Sequence, residues 1–277
     1  MKKILSVLMA LGMTFSLAAC AGSTPSSSEA ASESASASSA VESEAASSEA
    51  ATSEAAASGT VLSHEEYMAA DLDTEVTIEA YVQAKQSWYA EQATATVYLQ
   101  DQDGAYFAYD MACSEEDYDK LTPGTCIRVT GYKSEWSGEV EITDGTFEFV
   151  DGADTFVAEP LDVTELLGSD ELIDHQNELV SFKGLTVEPS TVEGSDEEYA
   201  FLYNWDGSGT DGDDLYFNAS CNGQTYTFTI ESYLCDNTTD VYAAVKNLEV
   251  GQTIDMEGFL YWYEGVNPHI TSVTVVG

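Results

Sequence analysis

Four short clusters of flat, polar-edged rings are the residues of this chain best suited to hold a ligand. Trp88-Tyr89, Trp136, Tyr203-Asn204-Trp205 and Tyr261-Trp262-Tyr263 contain all four tryptophans of the sequence. Such rings stack on sugar faces or bases and lose little side-chain entropy when fixed. Set among carboxylates and amides, they suit a carbohydrate or peptide. The same rings would serve equally to cap the ends of small β domains or to pack two domains together. Trp262, between two tyrosines, is placed for packing, and Trp136, beside Gly138 and polar neighbours, for exposure.

A second chemistry is open to the acidic loop that runs from Asn204 to Asp214. Oxygen donors at alternate positions around a sharp glycine turn are what a calcium ion needs. Asn204, Asp206, Ser208 and Thr210 fit that opening, with Asp211 and Asp213 as further donors. Leu215 stands where a calcium loop of the helix-loop-helix kind would place a bidentate glutamate, so an acidic surface turn is the competing reading.

The cysteines after Cys20 are Cys113, Cys126, Cys221 and Cys235. Cys113 ends an expected strand and Cys126 begins the next, which makes a Cys113–Cys126 disulfide across the intervening helix plausible in an exported chain. Free thiols are the alternative, and no close Cys/His pair suggests zinc. His64, His175 and His269 are isolated, and no nucleophile stands with a recognisable base, so the expectation is a protein that is not an enzyme.

Lys2-Lys3, the apolar run Ile4–Leu17 and Leu17-Ala18-Ala19-Cys20 together resemble a bacterial lipoprotein signal with its lipobox. The resemblance implies a signal peptide over 1–19, a lipid-modified (palmitate-bearing) Cys20 as first mature residue, and anchoring at the extracytoplasmic face of the cell membrane. From Ala21 to Ser58 the chain is almost wholly Ala, Ser and Glu. It cannot bury a core, so 20–59 is expected to be a disordered tether with a reach of roughly 30 to 35 Å.

The remainder divides into two domains of about 100 residues, 60–151 and 152–277. Val76, Ile78, Ala80 and Val82 alternate with polar residues, as do Tyr226, Phe228 and Ile230, giving half-buried strands. Ser114-Glu115-Glu116-Asp117 and Asn237-Thr238-Thr239 open helices, and Ser63–Met68 carries its own capping box, with Asp162–Leu167 in the same role before the second domain. Each copy then carries a glycine-bearing strand, Ile127-Arg128-Val129-Thr130-Gly131-Tyr132 or Ile254-Asp255-Met256-Glu257-Gly258-Phe259.

Strand, strand, strand, helix, strand, strand, written twice, resembles the oligonucleotide/oligosaccharide-binding barrel, the OB-fold. The fold class expected is therefore mainly β: two tandem OB-fold-like five-stranded barrels, each with a helix between strands 3 and 4. In that fold ligands lie across the middle strands between the loops joining strands 1–2 and 4–5, where the aromatic clusters fall. Charge argues against the fold's association with nucleic acid: 50 acidic residues face eight Lys/Arg, two of which lie in the signal. The function expected is a non-catalytic, membrane-anchored binding module for an extracellular glycan or peptide, with a structural or protein-docking role and single-stranded nucleic-acid binding as alternatives.

Overall fold

The computed structural model describes residues 59–277; the expected signal peptide, Cys20 and the Ser/Ala/Glu segment up to 58 lie outside the described residues. Helix α1 (His64–Ala69) leads into β1 (Glu75–Lys85), β2 (Thr94–Gln100), β3 (Ala105–Ala112), α2 (Glu115–Lys120), β4 (Cys126–Trp136) and β5 (Glu139–Phe149). A short β6 (Leu161–Asp162) and two 3-10 turns lead into β7 (Leu179–Glu188). Then come β8 (Ser190–Thr191), β9 (Glu198–Tyr199), β10 (Leu202–Tyr203), β11 (Leu215–Cys221), β12 (Gln224–Ile230), α3 (Asp240–Lys246), β13 (Thr253–Phe259) and β14 (His269–Val275).

The first five strands close a barrel in the order β1-β2-β3-β5-β4. The second ring, β7-β11-β12-β14-β13, closes through the β7–β11 pair, with β6 and β10 extending the sheet. In each barrel the third strand runs parallel to the fifth and a helix joins the third to the fourth. The architecture is that of two tandem OB-fold-like barrels.

Local chemistry accounts for the elements. Val76, Ile78, Ala80 and Val82 are buried on one face of β1, and Phe228 and Ile230 on β12. Ser63 makes a full capping box with Glu66, and Ser114 and Thr239 each accept a backbone N–H at the start of α2 and α3. Asn222 and Gly223, both at positive φ, turn β11 into β12 as a two-residue hairpin loop.

The glycine repeated in the two fourth strands has a physical reason. At Gly131 and Gly258 the ladder with the fifth strand shifts register. A Cβ at Gly258 would lie 2.2 Å from the His269 carbonyl oxygen, and one at Gly131 would lie 2.7 Å from that of Thr143. Only glycine lets the strands approach so closely.

Three sequence expectations change. Asp162–Leu167 does not make an α-helix: Leu161–Asp162 pairs in parallel with β7, and 3-10 turns follow at Thr164–Leu166 and Asp170–His175. Cys113 and Cys126 are free thiols, as are Cys221 and Cys235. The Cys113 amide is bonded to Ala93 at one end of β2, while Cys126 pairs with Tyr81, which is level with Gln100 at the other. The length of β2 separates those levels, roughly 20 Å, against a limit of about 7 Å between disulfide α-carbons.

The calcium loop is the third. Asp211 is taken by Lys246, Asn237 and Tyr203, and Asp206 accepts its own turn's Ser208 amide. Asp213 accepts the Thr210 amide, and among the described residues no group of three His, Cys, Asp or Glu converges as a metal site. Asn204 takes positive φ to turn the chain, and the loop is a hydrogen-bonded surface turn.

The two barrels share an apolar seam. Tyr98 and Phe107, on the outer face of the first barrel, pack with Phe259 of the second, flanked by Leu179, Leu234 and Tyr261. Tyr98 stacks on Phe259 at 4.2 Å between centroids, and its hydroxyl meets His269 Nδ1 at 2.7 Å. Beside this seam the β4–β5 hairpin is stitched to the second barrel. Glu264 N donates to Ser137 O, Gln176 Nε2 to Gly138 O, Trp262 N to Glu139 and Asn177 Nδ2 to Val140 O.

Candidate functional site

Next to this seam a cleft of about 600 Å³ opens between the barrels, within the size range of small-molecule sites. Its first-barrel wall is built from the β1–β2 loop, which presents Trp88 and Tyr89, from Phe107 and Tyr109 on β3, and from Trp136 at the tip of β4. The second barrel contributes Tyr216 from β11, Tyr233 from the loop after β12, and Tyr261 and Tyr263 from the β13–β14 loop.

The walls are held in different ways. Trp88 is fixed by its indole N–H, which donates to Cys113 O at 3.0 Å. Trp136 is free-standing and 60% exposed. It sits at a hairpin whose turn residues Ser137 and Gly138 both have positive φ. Tyr261 stacks on His269 at 4.2 Å. Burial pushes the His269 imidazole down to about 3, so it borders the cleft as a neutral ring.

Two carboxylates face the cleft from opposite barrels. Asp110 accepts from Thr94 Oγ1 at 3.2 Å, and its amide donates to Thr96 Oγ1 at 3.1 Å. Glu231 accepts the amides of Tyr233 and Leu234 at 3.1 and 2.9 Å, yet burial pushes it up to about 7. Behind the first-barrel wall, burial and then Asp110 raise Glu141 to about 7. Among the described residues no Lys or Arg lines the cleft.

Five of the eight aromatics singled out in the sequence therefore meet in one place: Trp88, Tyr89, Trp136, Tyr261 and Tyr263. Three do not. Trp262 packs against the second barrel's core and over Gly138, where a Cβ would lie 2.8 Å from its ring. Tyr203 packs edge-on to Phe201, with its hydroxyl toward Asp211. Trp205 is 75% exposed in the long β7–β11 connection, away from the cleft. Sequence reading missed Phe107, Tyr109, Tyr216, Tyr233, Asp110 and Glu231. A usable signal lay in Tyr98, Phe107 and Tyr109, bulky rings on strand positions that alternation assigns to the outside.

No protein-family model and no curated protein matches the chain. Among solved structures it is similar to the hypothetical protein ygiW from E. coli, at 18% identity over 34% of this chain and 94% of that one, with a TM-score of 0.25. It is also similar to the Ifi202 HINa domain solved in complex with double-stranded DNA, at 14% identity over 74% and 96% of the two chains and a TM-score of 0.32. A third is a replication protein A heterotrimer bound to single-stranded DNA, at 15% identity over 72% and 49%, with a TM-score of 0.28. Likenesses this distant carry no argument about what this chain binds.

Proposed function

We propose that the protein is an extracytoplasmic, lipid-anchored binding module that holds a short glycan or peptide in the cleft between its two barrels. The observation that carries this reading is the convergence of aromatic side chains from both barrels on one cavity large enough for such a ligand. Rings left exposed in a concave site are available for stacking on sugar or side-chain faces. The anchoring part of the proposal rests on the lipobox-like Leu17–Cys20.

A single-stranded nucleic acid would need cations along its path. Each of the six Lys/Arg among the described residues already has a partner. Lys85 meets the Tyr118 carbonyl and ring, and Lys120 meets Glu116 and Asp117. Arg128 pairs with Glu79 and Glu148, and Lys133 donates to the carbonyls of Met68 and Ala70. Lys183 pairs with Glu257, and Lys246 with Asp211. Charge and pairing together favour an uncharged or cationic ligand.

The test is intrinsic tryptophan fluorescence of the full chain, titrated with cell-wall and dietary oligosaccharides, short peptides and single-stranded oligonucleotides. A saturable change with a glycan or peptide, lost in Trp136→Ala, is the expected result. Saturable binding by oligonucleotides alone would overturn the reading. Incorporation of an alkynyl palmitate analogue by cells expressing the chain, abolished in Cys20→Ala, checks the anchor.

A further inference from the structure

We infer, resting on the reading that the inter-barrel cleft is the ligand site, that the group it seats is an alkylammonium cation, with the uncharged remainder of the ligand lying along the aromatic walls. The geometry has the parts of a cation cage. Trp136, Tyr89, Tyr109 and Tyr263 line the cavity, and the negative π-face of such rings attracts an ammonium. Asp110 from the first barrel supplies negative charge, and Glu231 from the second adds to it once ionised, which burial delays to about 7 and a bound cation would favour. Among the described residues no Lys or Arg lines the space to compensate them.

Both carboxylates are held in place rather than swinging at the surface. The Asp110 carboxylate accepts from Thr94 Oγ1 while its backbone amide is held by Thr96, and Glu231 accepts two backbone amides. Burial raises the cleft phenols Tyr109 and Tyr216, and nearby carboxylates add to it, Asp110 and Glu141 at Tyr109 and Asp214 and Glu231 at Tyr216. An anionic ligand would meet that field unshielded. A neutral one would leave the carboxylates without a counter-charge, whereas a cation both neutralises them and stacks on the rings. The formal net charge of −42 adds long-range attraction for a positively charged ligand.

The cavity of about 600 Å³ exceeds a bare trimethylammonium group, so the ligand carries the cation on a larger body. An amino sugar or a lysyl peptide would both do so.

Isothermal titration calorimetry of the full chain separates charge from shape. Choline is compared with 3,3-dimethylbutan-1-ol, its uncharged isostere, and glucosamine and N-acetyl-lysine amide are compared with N-acetylglucosamine and N-acetyl-norleucine amide. The expected result is at least tenfold tighter binding of each cation than of its neutral partner. That preference should fall at least threefold in Glu231→Gln and in Asp110→Asn, with the folded signal by circular dichroism unchanged. The glucosamine and lysine arms show which body the cation rides on. Equal or tighter binding of the neutral partners, still lost in Trp136→Ala, would overturn the cation while leaving the cleft as the site. Failure of all these probes, with glycans and peptides also silent, would overturn both.

Discussion

Glu139 should make the stability of this protein fall as pH rises from about 5 to about 8, against the usual behaviour of an acidic residue. The side chain is 0% exposed at the start of β5. One oxygen accepts the Trp262 amide at 2.9 Å, and the other has no partner. Asn177, within hydrogen-bonding reach, likewise leaves its Oδ1 without one. A proton on Glu139 removes the charge whose burial is costly. Burial is the largest cause of its pKa rising from 4.5 to about 8, opposed by Asn177 and the Trp262 amide.

Between those values the folded chain holds a proton that the unfolded chain has released. Stability from this group is therefore complete below the unfolded value and is lost as pH climbs through the folded one. A displacement of that size corresponds to on the order of 5 kcal/mol. Glu139→Gln keeps the acceptor for Trp262 and has no charge to bury. Urea unfolding of both proteins at pH 5 and pH 8.5 tests this. Wild type should lose several kcal/mol more than the variant over that interval, with a residual slope in both from Glu141 and Glu231. Parallel pH profiles for the two proteins would refute the assignment of a buried, protonated Glu139.

Three further outcomes are expected. Trp136→Ala should abolish ligand-induced fluorescence change with a stability cost within about 0.5 kcal/mol, as for an exposed side chain, while Trp205→Ala should leave the response intact; a titration of each variant decides. Gly258→Ala should destabilise the second barrel by about 2 kcal/mol or more, because its Cβ would collide with the backbone at His269, and thermal unfolding will show it. Thiol counting on the folded, unreduced chain should find Cys113 slow to react, since burial pushes its thiol up to about 11; Cys113 should nonetheless be recovered as free thiol after unfolding.

The barrels themselves were legible because their signals are local. Alternation along Val76–Val82, the capping serines and the Asn222-Gly223 turn are each fixed by neighbours in sequence. The site was half legible. Trp88, Tyr89, Trp136, Tyr261 and Tyr263 stand in the expected loops, but which loops meet depends on how one barrel docks on the other. That docking is set by Tyr98 and Phe107 against the distant Phe259, and although the first two stand on outward-facing strand positions, nothing local says which residue covers them. The second barrel's first loop breaks the symmetry. It is long enough to fold into short paired strands of its own, and it carries Tyr203 and Trp205 elsewhere. The Cys113–Cys126 expectation failed because order along the chain was read as proximity, when β2's full length lies between the thiols.

The β4–β5 hairpin carries Trp136 at the cleft while its next residues, Ser137 to Val140, are sewn to the second barrel. A duplicated domain would ordinarily offer two equivalent sites, one per copy. Here the two like barrels border one asymmetric cleft, so on the proposed function the chain should take up one ligand molecule, not two. Neither half expressed by itself should retain a trace of binding, because the cavity is lined from both barrels.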